Sequence, residues 1–218
     1  MKKALIFYGG WEGHDPERTT ARFEKILISE GFEVDRYEGM DCLSSLDKLL
    51  EYDLIVPCVT MSTIEREHEK NVIDAVASGV GIAGWHGGMC DSFRNATEWQ
   101  FMTGGQWVSH PGNDGVKYTV KIVSDSPIVE GIGDFEVVSE HYYLHVDPAV
   151  KVLAATRFPV VEGPHSANGE VDMPVAFTKR WGMGKVFYCS LGHNDKFFES
   201  SRSAELLITR GLLWAARD

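Results

Sequence analysis

Five histidines in this sequence sit where a chain usually turns rather than where it packs: His14, His86, His110, His141 and His193. Imidazole titrates near pH 6.5, so it can give or take a proton at neutral pH, and its neutral form is a common metal ligand. Each has companions that sharpen the chemistry. His14 follows Gly9-Gly10-Trp11-Glu12-Gly13, and His86 is the centre of Gly84-Trp85-His86-Gly87-Gly88. His110 closes Gly104-Gly105-Gln106-Trp107-Val108-Ser109, His141 follows Glu140, and His193 precedes Asn194-Asp195. Read as acid/base machinery, His86 and His193 form the pair, and Glu140 orients one imidazole or serves as base. Read as a metal site, three histidines and a carboxylate could hold Zn²⁺ or another divalent metal with a position left open, and His14, His86 and His193 are the ligands. Trp11, Trp85 and Trp107 offer aromatic faces for sugar rings, while His14, His110, His141 and Asn194 offer hydrogen bonds.

The glycines around His86 carry their own information. A residue flanked by glycines directly after a buried strand can occupy a tight strand-to-helix elbow that pushes its side chain into a cleft. The alternative is a plain glycine-rich turn. In Ser139-Glu140-His141-Tyr142-Tyr143-Leu144-His145, two histidines four apart would share a helix face. The tyrosines, Val146 and Pro148 favour extended chain instead, which puts Glu140, Tyr142 and Leu144 on one side and His141, Tyr143 and His145 on the other. A strand edge carrying aromatic and polar residues explains the same pattern without a site. A long surface loop does so for 104–114.

The elements that must position these residues follow from apolar patterning. Ala4–Tyr8, Phe32–Arg36, Leu54–Val59 and Val80–Ala83 read as buried strands. Between them fall helical stretches. Asp15-Pro16-Glu17 starts one with an N-cap acid and proline at N1, and Gly31 stops it. Leu43–Leu50 is a short amphipathic helix. Ser62-Thr63-Ile64-Glu65 has the capping-box pattern for a third, which Gly79 ends. Parallel strands need such crossovers, so the first hundred residues predict a sheet with helices on both faces. Ligands of such sheets bind beyond the carboxyl ends of the strands, which nominates the loops at 9–14, 59–62 and 85–91. Further on, Asn95–Met102 reads as a helix, Val116–Val123, Phe135–Ser139 and Val150–Ala155 as strands, and 156–172 as a loop. Pro174–Lys179 and Lys185–Ser190 form a hairpin, and a helix covers about Ser203–Ala216.

Composition bounds the function. A chain of 218 residues with 44% hydrophobic and 24% charged residues predicts a globular protein with a substantial core, one domain over 1–218. A net charge of −11 repels phosphate backbones, so nucleic acid is not an expected partner. No apolar run reaches the ~20 residues of a membrane helix, so no membrane is expected either. Met1-Lys2-Lys3 and the apolar residues after it read as a first core strand, not a signal segment. Cys42, Cys58, Cys90 and Cys189 form no CxxC pair and read as reduced thiols, which favours the cytoplasm.

The set of motifs at 9–14, 84–88, 104–112, 140–143 and 192–194 resembles the ThuA-like (trehalose utilisation) family, over nearly the whole chain. The elbow resembles that of the class I glutamine amidotransferase-like superfamily, in which a cysteine stands at the centre of G-x-C-x-G and a histidine follows the equivalent of strand 185–190. The resemblance implies an α/β, flavodoxin-like fold: a doubly wound, mostly parallel sheet with helices on both faces. It implies a small-molecule sugar as partner, trehalose or a related keto-disaccharide, and a homodimer. His86 stands where the cysteine would be, and imidazole cannot form the γ-glutamyl thioester, so the chain is not a glutaminase. A sugar hydrolase, lyase or isomerase remains, by acid/base or metal-assisted chemistry. The alternative is a non-catalytic sugar-binding or regulatory module with a degenerate site.

Overall fold

The computed structural model describes residues 1–158 and 163–218. In chain order the strands and helices are β1 (Lys2–Gly10), α1 (Pro16–Ser29), β2 (Phe32–Glu38), α2 (Leu46–Leu49), β3 (Leu54–Thr60), α3 (Arg66–Ala77), β4 (Gly81–Trp85) and α4 (Gly87–Cys90). These are followed by α5 (Thr97–Thr103), β5 (Gly105–Ser109), β6 (Val116–Ile122), β7 (Phe135–Ser139), β8 (Tyr143–Val146) and β9 (Lys151–Phe158). The last are β10 (Val171–Trp181), β11 (Gly184–Cys189), α6 (Asp195–Ser200) and α7 (Arg202–Ala215).

Among the described residues nine strands form one sheet in the order β2-β1-β3-β4-β11-β10-β9-β6-β7, and β5 pairs with β8 apart from it. From β2 to β11 the neighbours are parallel. From β11 to β7 they are antiparallel. The architecture is thus the expected α/β fold with a parallel core, and it continues into an antiparallel extension.

The parallel strands are covered on both faces, and their side chains alternate between two cores. Ala4 and Ile6 of β1 join Phe23 and Leu27 of α1 and Leu207 and Ile208 of α7. Leu5 and Phe7 point the other way, to Val72 and Val76 of α3 and Trp99 and Met102 of α5. The extension alternates buried and solvated residues instead, as in the run Val116–Ile122.

Several local expectations need correction. The Ser62 capping box does not form: α3 begins at Arg66, with Glu65 at its N-cap and no side-chain cap. Asp15 holds the N-cap of α1 in a left-handed conformation, but its carboxylate turns to Arg18 at 3.6 Å rather than capping. The 43–50 stretch splits into a 3-10 turn at Asp41–Leu43 and the single turn α2. Strand β5 falls inside a stretch that also reads as a surface loop, because its residues alternate with glycine and polar groups and carry weak apolar period, while β8 lies in the stretch expected to be extended. Of the expected loop 156–172, residues 156–158 extend β9 and 171–172 open β10, while 159–162 lie outside the described residues.

Candidate functional site

The loops at the carboxyl ends of the parallel strands converge on one cleft of about 580 Å³. After β1 the chain turns through a 3-10 turn, Glu12–His14, which buries His14. The turn is possible because Gly10, at φ +79°, lies against β3: a Cβ there would stand 2.0 Å from the Thr60 carbonyl oxygen. After β4 comes the elbow. His86 has φ 50° and ψ −129°, a conformation that side chains rarely adopt and that persists only where its surroundings impose it. They do so from β11. The His86 N–H donates to the Cys189 carbonyl at 2.7 Å, and the His86 carbonyl accepts from the Tyr188 hydroxyl at 2.6 Å. Just past β11, Gly192 at φ +103° brings His193 over the same point.

Glu140 arrives from the opposite direction, directly after β7. Its Oε2 lies 3.1 Å from His86 Nε2, 3.5 Å from His193 Nδ1 and 3.8 Å from His14 Nε2. His193 Nδ1 is 3.3 Å from His86 Nε2. One ligand atom from each of His14, His86, Glu140 and His193 lies within 4.8 Å of all the others. All four residues are buried, His86 to 2% exposure.

The outer bonds of the imidazoles decide which nitrogens face inward. His86 Nδ1 is 2.9 Å from the Ser190 carbonyl, which can only accept, so Nδ1 carries the proton and Nε2 presents a bare lone pair. His14 Nδ1 is 3.0 Å from the Thr60 hydroxyl, which leaves its Nε2 for the cluster. His193 Nε2 faces Asp114 at 3.9 Å, with Nδ1 inward. The Glu140 backbone carbonyl is held by the Tyr118 hydroxyl at 2.9 Å, and Tyr142 stacks on His86 at 4.2 Å.

Burial and neighbours divide the titrations. Burial pushes His86 down to about 4, against the pull of Glu140. Burial alone would raise the Glu140 carboxyl, but the three imidazoles outweigh it and hold the group well below the usual carboxylate range. His193 is lowered by burial and raised more by Glu140, and ends above its ordinary value. At neutral pH the cluster is therefore an ionised carboxylate beside a neutral His86.

The sequence matches the family model described as ThuA, trehalose utilisation, over residues 3–215. The chain belongs to the ThuA family. No curated protein matches it. Solved structures show the same fold. A ThuA-like protein from Bacteroides uniformis superposes with TM-score 0.77 at 20% identity, over 98% of this chain and 91% of that one. A second, from Parabacteroides merdae, gives 0.74 at 17% identity, over 98% and 89%. A cytoplasmic protein from Salmonella typhimurium gives 0.69 at 13% identity, over 99% and 100%.

In this ThuA-family chain the residues singled out from sequence divide into three groups. His14, His86, Glu140 and His193 meet in the cluster. Trp11, Trp107 and His110 line the cleft around it, with His110 Nε2 3.9 Å from Glu140 Oε1. Trp85, Asn194 and His141 do neither. Trp85 is 2% exposed and packs on Phe23 at 4.4 Å, because a residue one position before the elbow is still in the buried strand. Asn194 caps α6, its Oδ1 accepting from the Phe197 N–H at 3.2 Å. His141 stacks on Tyr118 at 4.0 Å, because extended chain turns neighbours of Glu140 to the opposite side. Burial pushes its imidazole down to about 4.

Seven lining residues were not singled out from sequence: Thr60, Met61, Asp91, Arg94, Asn113, Asp114 and Tyr142. Thr60 and Asp91 lie in loops that the strand-end rule nominates, and Asp114 and Tyr142 lie in quoted motifs. Arg94 had no signal. Its guanidinium makes two bonds to Asp91, at 2.7 and 3.0 Å, and covers the Trp107 ring at 4.5 Å. Among the described residues no helix is long and apolar enough to cross a membrane.

Proposed function

We propose that this ThuA-family protein is an enzyme acting on a small-molecule sugar of the trehalose or keto-disaccharide class, with His14, His86, His193 and Glu140 holding Zn²⁺ or another divalent metal at the base of the cleft. One observation carries the reading. The unprotonated Nε2 of His86 faces the Glu140 carboxylate at 3.1 Å, two lone pairs toward each other in a buried place. A cation between them would relieve that opposition, and burial disfavours a proton on His86 at neutral pH. A tetrahedron of ligands at zinc distances has edges of about 3.3 Å. Four of the cluster's six separations, 3.1, 3.3, 3.5 and 3.8 Å, bracket that length, and all six are within 4.8 Å. Three imidazoles and a carboxylate suit zinc and its first-row neighbours. Thr60, the Ser190 carbonyl and Asp114 are the outer partners that hold ligand tautomers.

A divalent cation bound there would supply Lewis acidity toward a sugar oxygen, or a water of lowered pKa. The rest is done by the chain itself. Trp11, Trp107 and Tyr142 present aromatic surface to sugar faces. Trp107 Nε1 and His110 Nδ1 are buried without partners among the described residues, as groups awaiting a ligand's hydroxyls would be. His193, with Asp114 behind it, can hold or pass a proton at the cleft. With His86 at the elbow no thioester can form, so glutamine hydrolysis is not the activity. All four cysteines are free thiols, which supports a reducing compartment, the cytoplasm.

The metal is tested by elemental analysis of protein purified without a histidine tag. About one equivalent is expected, and less than about a tenth would remove the metal from the reading. The enzyme is tested by turnover of keto-disaccharides with His86→Ala and His193→Ala. Unchanged rates in both would overturn it. Thermal stabilisation by a sugar that is never turned over would make the cleft a binding module instead.

A further inference from the structure

A second group of buried polar atoms lies behind Glu140, on the side of the chain away from the cleft. Among the described residues, strands β6 and β9 pair only at Lys121 with Ala155 and Ile122 with Ala154. β9 continues to Phe158, held on its other edge by β10, while β6 follows β7. The two strands part. His141 is wedged where they do so, stacked on Tyr118 of β6 at 4.0 Å and against Phe158 of β9 at 4.5 Å.

The gap is a cavity of about 280 Å³ lined by Lys117, Tyr118, Lys121, His141, Thr156 and Arg157, among others. That is far more than the roughly 30 Å³ one water occupies in the liquid. His141 and Thr156 are each 2% exposed. Among the described residues, neither ring nitrogen of His141 has a hydrogen-bond partner, and neither does Thr156 Oγ1. Buried polar atoms are nearly always satisfied, so three orphans on one cavity point to a molecule that completes them.

Charge says which kind. Among the described residues, three cations and no acid line the cavity of a protein whose net charge is −11. Lys121 is in no ion pair among the described residues. Lys117 meets Glu136 at 3.0 Å, and Arg157 meets Asp172 at 2.8 Å and Glu170 at 3.9 Å. These pairs are half-exposed or more, so they are weak enough to yield to a better-placed anion.

We propose that the gap between β6 and β9 is a phosphate-binding site, with His141 and Thr156 as its inner hydrogen-bonding groups and Lys121, Lys117 and Arg157 as its cationic rim. Its ligand is inorganic phosphate or the phosphate group of a small phosphorylated metabolite. The proposal does not depend on the metal or on the reaction in the other cleft.

The test is thermal denaturation and calorimetric titration of the full chain, as purified and after chelation, the latter to remove phosphate held by metal. The probes are inorganic phosphate, glucose 6-phosphate and glucose, with sodium chloride at matched ionic strength. Phosphate or the ester is expected to stabilise the wild type beyond chloride, and glucose is not. Thr156→Val and Lys121→Ala are each expected to weaken the binding at least threefold, and His141→Phe, which keeps the stack on Tyr118, at least tenfold. Tighter binding of the ester would identify a phosphorylated metabolite as the source, and equal binding would identify free phosphate. No binding beyond chloride would overturn the proposal. So would wild-type affinity in both Thr156→Val and Lys121→Ala, two variants that leave the His141 wedge in place.

Discussion

The two halves of the sheet do different work at the site. The parallel half, β2 to β11, is buried throughout its centre: every residue of β3 and β4 is shielded. It contributes the three histidines, all from loops at the same end of the sheet. The antiparallel half alternates, as in β6 and β7, with one row inside and one row in water. Glu140 comes from this half, and the separate β5–β8 pair with the loop after β5 adds Trp107, His110, Asn113 and Asp114 to the wall. The difference shows a division between a rigid frame that sets nitrogen positions and an extension that brings charge and shape to them. It also explains why the cluster spans the chain from His14 to His193. No single segment could supply both the strand-end loops and an opposing carboxylate.

That division can be broken most sharply at Glu140. Glu140→Gln keeps the shape but removes the charge that three imidazoles surround. Metal content and turnover are expected to fall as far as in His86→Ala, by about 10²–10⁴-fold in rate. If Glu140→Gln keeps both, the antiparallel half supplies walls only. A smaller effect is expected inside the frame. A Cβ on Gly87 would stand 2.6 Å from Thr60 Oγ1 and 2.8 Å from His14 Cε1. Gly87→Ala should cost about 1–3 kcal/mol of stability and displace His14, read by chemical denaturation and by metal content.

Acid should separate the halves less strongly. His86 in the frame and His141 in the extension are each held at about 4 by burial, below the 6.5 of a free imidazole. Between those values the unfolded chain binds protons that the folded chain refuses, so stability is lost as pH falls from about 6.5 toward 4. Each contributes roughly 1.4 kcal/mol per pH unit across that window. His193, whose value is raised, works in the opposite direction. The comparison is made by denaturation of chelated protein, where His141→Phe should flatten the slope. The smallest effect is expected at Asn194. Removing its cap on α6 with Asn194→Ala should cost about 1 kcal/mol and leave turnover unchanged, as a residue beside His193 but outside the cleft would.

The halves were also unequally legible. The parallel strands announce themselves as apolar runs such as Leu54–Val59, because both faces are covered. The elbow at 84–88 is readable because glycines there leave room for Thr60 and His14. Apart from that sheet, β5 is hard to tell from a surface loop because a short, half-polar strand resembles one, whereas the extended chain expected around Tyr142 is β8. Trp85 and Asn194 stand outside the cleft because being next to a cluster residue in sequence does not mean facing the same way. His141 was separated from Glu140 by the same alternation that the sequence already showed.

By itself the sequence determined the α/β class, the crossover pattern, the elbow without a cysteine and the set of histidines from which a site could be built. Those are properties of local period, glycine placement and residue chemistry, which act over a few residues. Only the tertiary structure decided that His14, His86 and His193 meet around Glu140, that Ser190 and Thr60 turn bare nitrogens inward, and that His141 stands in a second cavity. Such facts depend on strand order and on backbone carbonyls distant in the chain, and neither leaves a mark in the neighbouring residues.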